Sequence, residues 1–74
     1  MSNVDFSTEP TIESLANEVA CLKATLTFML KAMGQADAGK VIINTQKFAA
    51  QLEDPAQAEA FNRTLSQIIH EYRK

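Results

Sequence analysis

The chain is poor in structural punctuation and in chemistry-bearing clusters. Its 74 residues include one cysteine, two glycines, two prolines and no tryptophan. A single cysteine closes no internal disulfide, which excludes a disulfide scaffold. So little glycine and proline argues against a turn-rich sheet protein and excludes a collagen-like repeat. A basic excess is missing too: seven Lys and Arg stand against nine Asp and Glu, for a formal net charge of −2. Nucleic-acid-binding domains usually carry the opposite sign. The most apolar stretch, residues 19–33, is interrupted by Lys23 and Lys31 and is too short to span a bilayer. Residues 1–10 hold two acids, no base and no apolar run, so they do not read as a secretion signal. The expected setting is the cytoplasm, away from the membrane, where Cys21 stays reduced.

What is present suits one small folded domain. Hydrophobic residues make up 46% of the chain and charged residues 22%, ordinary values for a folded soluble protein. A chain of this size buries only about 60–65% of its unfolded surface, which leaves little room for a catalytic cleft. Residues 1–10 read as a flexible tail, and 11–74 as a single helical domain.

The helical signal is strongest at the start of that domain. Ile12, Leu15, Val19, Leu22, Leu26, Met29 and Met33 recur at alternating spacings of three and four. That is an unbroken heptad stripe. It predicts helix 1 over about 11–33, with Gly34 as its C-terminal cap and residues 35–39 as a connection. Helix 2 is expected over about 40–53. Ile42, Thr45, Ala49 and Leu52 form its stripe, widened by Val41 and Phe48. The Val41, Ile42, Ile43 run has strand propensity, yet no second strand exists for it to pair with. Asp54 and Pro55 mark the next boundary as an N-cap and first helical residue. Helix 3 is expected over about 55–72, with Ala58, Phe61, Leu65, Ile68 and Tyr72 on one face. The fold class is therefore all-α: three helices in a hairpin or bundle, completed by dimerisation.

The chemical motifs are weak. Gly34, Gly39 and Lys40 stand at the spacing of a phosphate-binding loop. Such a loop needs a preceding strand and a Ser or Thr for magnesium; here a helix precedes it and Val41 holds the metal position. Two glycines bounding a turn between helices explain the match. Cys21 lies beside the stripe and reads as a small packing residue, since a reactive thiol needs a positive neighbourhood. His70 reads as a solvated residue near a helix C-terminus, because no Cys or His stands at metal-ligand spacing to it. Asn62, Arg63 and Thr64 match a glycosylation sequon by chance within a helical stretch. The sequence thus implies no catalytic residues, no cofactor, no metal and no small-molecule substrate.

Several residues carry a family resemblance. Leu15, Ala16, Asn17, Glu18 and Val19, then Cys21, Leu22, Lys23 and Ala24, are followed by Met29, Leu30 and the run from Ala32 through Met33, Gly34, Gln35, Ala36, Asp37 and Ala38 to Gly39. With Asp5, Phe6, Ser7 and Thr8, they resemble the YecF-like family of short enterobacterial proteins. The resemblance covers nearly the whole chain. It implies a bacterial cytosolic setting and an all-helical fold, and it speaks against an enzyme. The family has no assigned activity, cofactor or site, so no residue role carries over.

Helix 1 supplies the functional expectation. At 23 residues it would be about 35 Å long, whereas a compact globule of this size is only roughly 29 Å across. Leu30, Phe28 and Cys21 widen its apolar surface beyond what two shorter helices cover. The expected function is a protein–protein interaction module, a homodimer or a binder of another protein, with Ile12, Leu15, Val19, Leu22, Leu26, Met29 and Met33 as its interface. The alternative is a nucleic-acid accessory protein using Lys40, Lys47, Arg63, Arg73 and Lys74, although acids are interleaved among them. The phosphate-loop match yields a direct check: isothermal titration with Mg-ATP should show no binding heat, and micromolar affinity would overturn this reading of residues 34–40.

Overall fold

A computed structural model describes residues 5–74 as three α-helices: α1 (Ile12–Ala32), α2 (Gln35–Ala50) and α3 (Pro55–Tyr72). No strand occurs among the described residues. Residues 5–10 adopt neither helix nor strand; the part of the expected tail over 1–4 lies outside the described residues.

Local chemistry fixes the helix ends. Thr11 takes an extended conformation, and its hydroxyl accepts the Ser14 N–H at 3.1 Å, which caps α1. Glu13 in the first turn and Lys31 in the last both complement the helix dipole. At the start of α3 the Asp54 carboxylate accepts the Ala56 N–H at 3.0 Å, and Pro55 occupies the first turn. A cap of this kind stabilises by about 1 kcal/mol. The expected start and end of helix 3 match the structure.

The junction between α1 and α2 departs from expectation. Residues 35–39 are not a connection: α2 begins at Gln35 and ends at Ala50, earlier at both ends than the expected 40–53. Met33 closes α1, donating its N–H to the Met29 and Leu30 carbonyls. Gly34 is the N-cap of α2 at φ −66° and ψ 154°, which needs no glycine, and its carbonyl accepts the Ala38 N–H at 3.0 Å. Gly34 thus lies in the two-residue junction, and Gly39 bounds no loop. Ala36 and Ala38 favour helix, and Asp37 sits well at the positive end of the dipole. Gly39 inside α2 opposes helix formation by only about 1 kcal/mol, while its neighbour Ala38 is fully buried.

Packing is organised around α3, which contacts both other helices; α1 and α2 barely touch each other. Leu30 of α1, Ala38 of α2 and Ile68 of α3 form the centre, with Ile42 and Tyr72 packed against it. Leu65, Ala49 and Thr27 complete the buried set. Ala38 and Ala49 let α2 approach α3 closely, and Phe48 meets Phe61 with ring centroids 5.8 Å apart. The stripes expected on helices 2 and 3 therefore face each other. The molecule is open, with a radius of gyration of 14.4 Å and extents of 37 × 32 × 23 Å. A compact chain of this length would have a radius near 11 Å.

Gly39 offers a clean test of α2. Its φ is not positive, and nothing lies within 4 Å of an added Cβ. Gly39→Ala should therefore stabilise the fold by about 0.5–1 kcal/mol. Thermal melting followed by circular dichroism should show an increase; a decrease would argue against a continuous α2.

Candidate functional site

The heptad stripe of α1 is not part of the chain's own core. All seven of its residues are exposed, from 38% at Met33 to 88% at Ile12. The residues of α1 that pack on α3 are Thr27 and Leu30, which lie roughly 100° around the helix from Leu22, Leu26 and Met29. Lys23 joins that packed face and donates its Nζ to the Gln67 side-chain carbonyl at 2.6 Å. Thr27 satisfies its own buried hydroxyl by donating to the Lys23 carbonyl at 2.8 Å. The stripe is therefore not what holds the chain's own helices together. Leu30, which sequence reasoning placed at the margin of the stripe, is the residue that anchors α1.

The stripe divides into two parts. Its N-terminal half overhangs: Ile12, Leu15, Ala16, Val19, Ala20 and Lys23 line a shallow surface formed by α1 alone. The C-terminal half borders a groove. Leu26, Met29 and Met33 form one wall, Val41, Ile42 and Thr45 of α2 form the other, and Leu65 and Ile68 of α3 form the floor of this space of about 190 Å³. An adjoining apolar recess of about 330 Å³ continues past Leu26 and Thr45 to Phe61 and Thr64. The residues of the second wall lie within the expected helix 2, but the groove itself escapes sequence reasoning because it exists only once all three helices are in place.

The exposed area is large for the mass. The accessible surface is 6136 Å², whereas a compact monomer of this size exposes about 4,500 Å². The exposed side chains of the stripe, with Phe28, Val41, Ile43 and Phe48, contribute to it.

Charge is distributed unevenly along this surface. Residues 5–22 contain Asp5, Glu9, Glu13 and Glu18 and no base. Residues 23–47 contain Lys23, Lys31, Lys40 and Lys47 against Asp37 alone. Glu18 accepts a hydrogen bond from the Thr8 hydroxyl at 2.8 Å, which ties the preceding segment to the overhang. The Ser7 hydroxyl and N–H both donate to Asp5 and hold its carboxyl below the ordinary range. The Lys74 ammonium does the same for Glu71.

The remaining candidates stay dispersed. Arg63 pairs with Glu59 at 2.8 Å and Lys74 with Glu71 at 3.0 Å, each on its own helix. Arg73 and Lys74 lie beside Lys31 and Met33, roughly 15 Å along α3 from Arg63. No group of three or more His, Cys, Asp and Glu residues among the described residues is arranged to hold a metal. His70 is exposed near the end of α3. Cys21 is exposed as well, which corrects its reading as a packing residue: it projects away from both the packed face and the stripe. Among the described residues, no helix is long and apolar enough to cross a membrane. The exposed thiol leads to a measurable expectation. Cys21 should react with a thiol-specific disulfide reagent nearly as fast in native buffer as in urea, and protection of tenfold or more in native buffer would show that it is covered.

Comparison with known proteins gives one consistent family. The model of a family described as "Protein of unknown function (DUF2594)" matches residues 1–74. Two relatives, each called "Uncharacterized protein YecF", come from Escherichia coli strain K12 and Shigella flexneri. Each is 54% identical over 74 residues, covering all of both chains. No solved structure matches.

Proposed function

The chain belongs to the DUF2594 family, and from that premise we propose that it is a small helical interaction protein, with residues 11–74 as the working unit and the apolar stripe of α1 as its binding surface. One observation carries this reading: seven large apolar residues recur at heptad spacing, and the chain's own packing leaves every one of them exposed. A helix that served only its own bundle would turn such a stripe inward. Here the stripe faces solvent, and the packed face is built from a leucine, a threonine and the stem of a lysine. Burying the stripe against a partner gains roughly 25 cal/mol per Å² of apolar area removed from water.

The reading is of binding without catalysis. Neither Cys21 nor His70 lines the apolar groove, and the groove's walls are almost wholly apolar.

Leu22→Glu tests this proposal. Leu22 is 61% exposed, so the substitution places a charge on the binding surface without entering the chain's own core. In a native cell extract the wild-type protein should sediment well above 8.2 kDa, and the Leu22→Glu protein should return towards that mass. Wild-type protein sedimenting as an 8.2 kDa species in the extract would refute the reading.

A further inference from the structure

Resting on the proposal that the α1 stripe is a binding surface, we infer that its occupant is a second copy of this chain, paired antiparallel, with the overhanging N-terminal half of each α1 laid along the groove of the other. Three observations lead there. The first is shape. The overhang from Ile12 to Leu22 is about 15 Å long and no other helix packs on its stripe, while the same chain holds an open apolar groove with two walls and a floor. A twofold axis near Leu22 lets each copy supply what the other lacks, and both complementary parts recur in every chain, as a closed isologous pair requires.

The second observation is charge. The overhanging segment from Ile12 to Leu22 carries only carboxylates, and the parts of α1 and α2 that bear the groove's walls carry Lys31, Lys40 and Lys47 against Asp37 alone. Antiparallel pairing brings unlike segments together and opposes the two helix dipoles.

The third is area. The surface in excess of a compact monomer is about 1,600 Å² per chain. A standard stable interface takes about 800 Å² from each partner. The excess is enough to supply one such interface even after the extended residues before α1 take their share.

The register follows from the stripe. With Leu22 at the axis, Val19 lies opposite the partner's Leu26, Leu15 opposite the partner's Met29 and Ile12 opposite the partner's Met33. Sites 15 and 29 of opposite chains are then adjacent, while two copies of site 15 are roughly 20 Å apart along the axis.

Cross-linking reads this register directly. In a Cys21→Ser background, Leu15→Cys and Met29→Cys proteins are prepared separately, mixed to exchange subunits and oxidised. Both positions are exposed in the single chain, so both variants should fold. Sedimentation equilibrium of the unmodified protein accompanies the experiment. The expected result is a 16 kDa species, twice the 8.2 kDa chain, and mixed 15–29 disulfides at least fivefold more abundant than 15–15 or 29–29. A dimer that forms mainly 15–15 and 29–29 disulfides would overturn the antiparallel pairing and leave the stripe as a binding surface. Purified protein that stays at 8.2 kDa at hundreds of micromolar would overturn self-pairing; if the same protein sediments as a larger species in extract, the binding surface stands with a different partner.

Discussion

The fold depends on one meeting of side chains: Leu30, Ala38 and Ile68, one from each helix, closing on a point along α3. α1 and α2 barely touch, so their relative placement rests mainly on this meeting. The alanine is as important as the larger residues. A bulkier side chain at 38 would push α2 off α3 and open the centre that joins the three helices. Because α3 is the common support, the caps at Asp54 and Pro55 matter beyond their own helix: they fix where α3 begins, and so which of its residues face Leu30 and Ala38.

That small centre explains why the outer faces are so apolar. Among the described residues, the wholly or nearly buried apolar set is Leu30, Leu65 and Ile68 with two alanines. A domain of this length ordinarily draws its stability from more buried volume than this. The stripe of α1 and the wall formed by Val41, Ile42 and Thr45 look like the rest of a core, displayed on the outside. In the proposed pair that surface becomes interior, and folding and association become one event.

The sequence was legible where pattern and local chemistry agree. Helix 3 announced itself by Asp54, Pro55 and a regular face ending at Tyr72, and its bounds and inner face matched. Helix 1 was equally clear as a helix. Its orientation was not legible, because periodicity shows that an apolar face exists and says nothing of which neighbour covers it. Thr27 and Leu30, outside the regular stripe, hold the intrachain seam. Helix 2 was misjudged at its start because Gly34 and Gly39 were read as loop markers. A glycine permits a turn without demanding one, and the alanines between them decided the matter. The groove needed all three helices in place, with residues as far apart in sequence as Leu26 and Ile68, so no local signal could display it.

The overhang of α1 has a consequence for how motion is distributed along one helix. Residues beyond Lys23 are clamped by α3, while among the described residues the first three turns are held by backbone hydrogen bonds, the Thr11 cap and the Thr8 contact to Glu18. Local opening free energy follows packing, so it falls steadily towards Ile12. Amide exchange should thus form a gradient within a single unbroken helix: fast through fraying near Ser14, slow near Leu30, where exchange waits for the three-helix centre to come apart. The most mobile turns are also the most apolar on their outer face. The segment offered for pairing is accordingly the one whose backbone gives way first, and its rigidity is something a neighbour would confer.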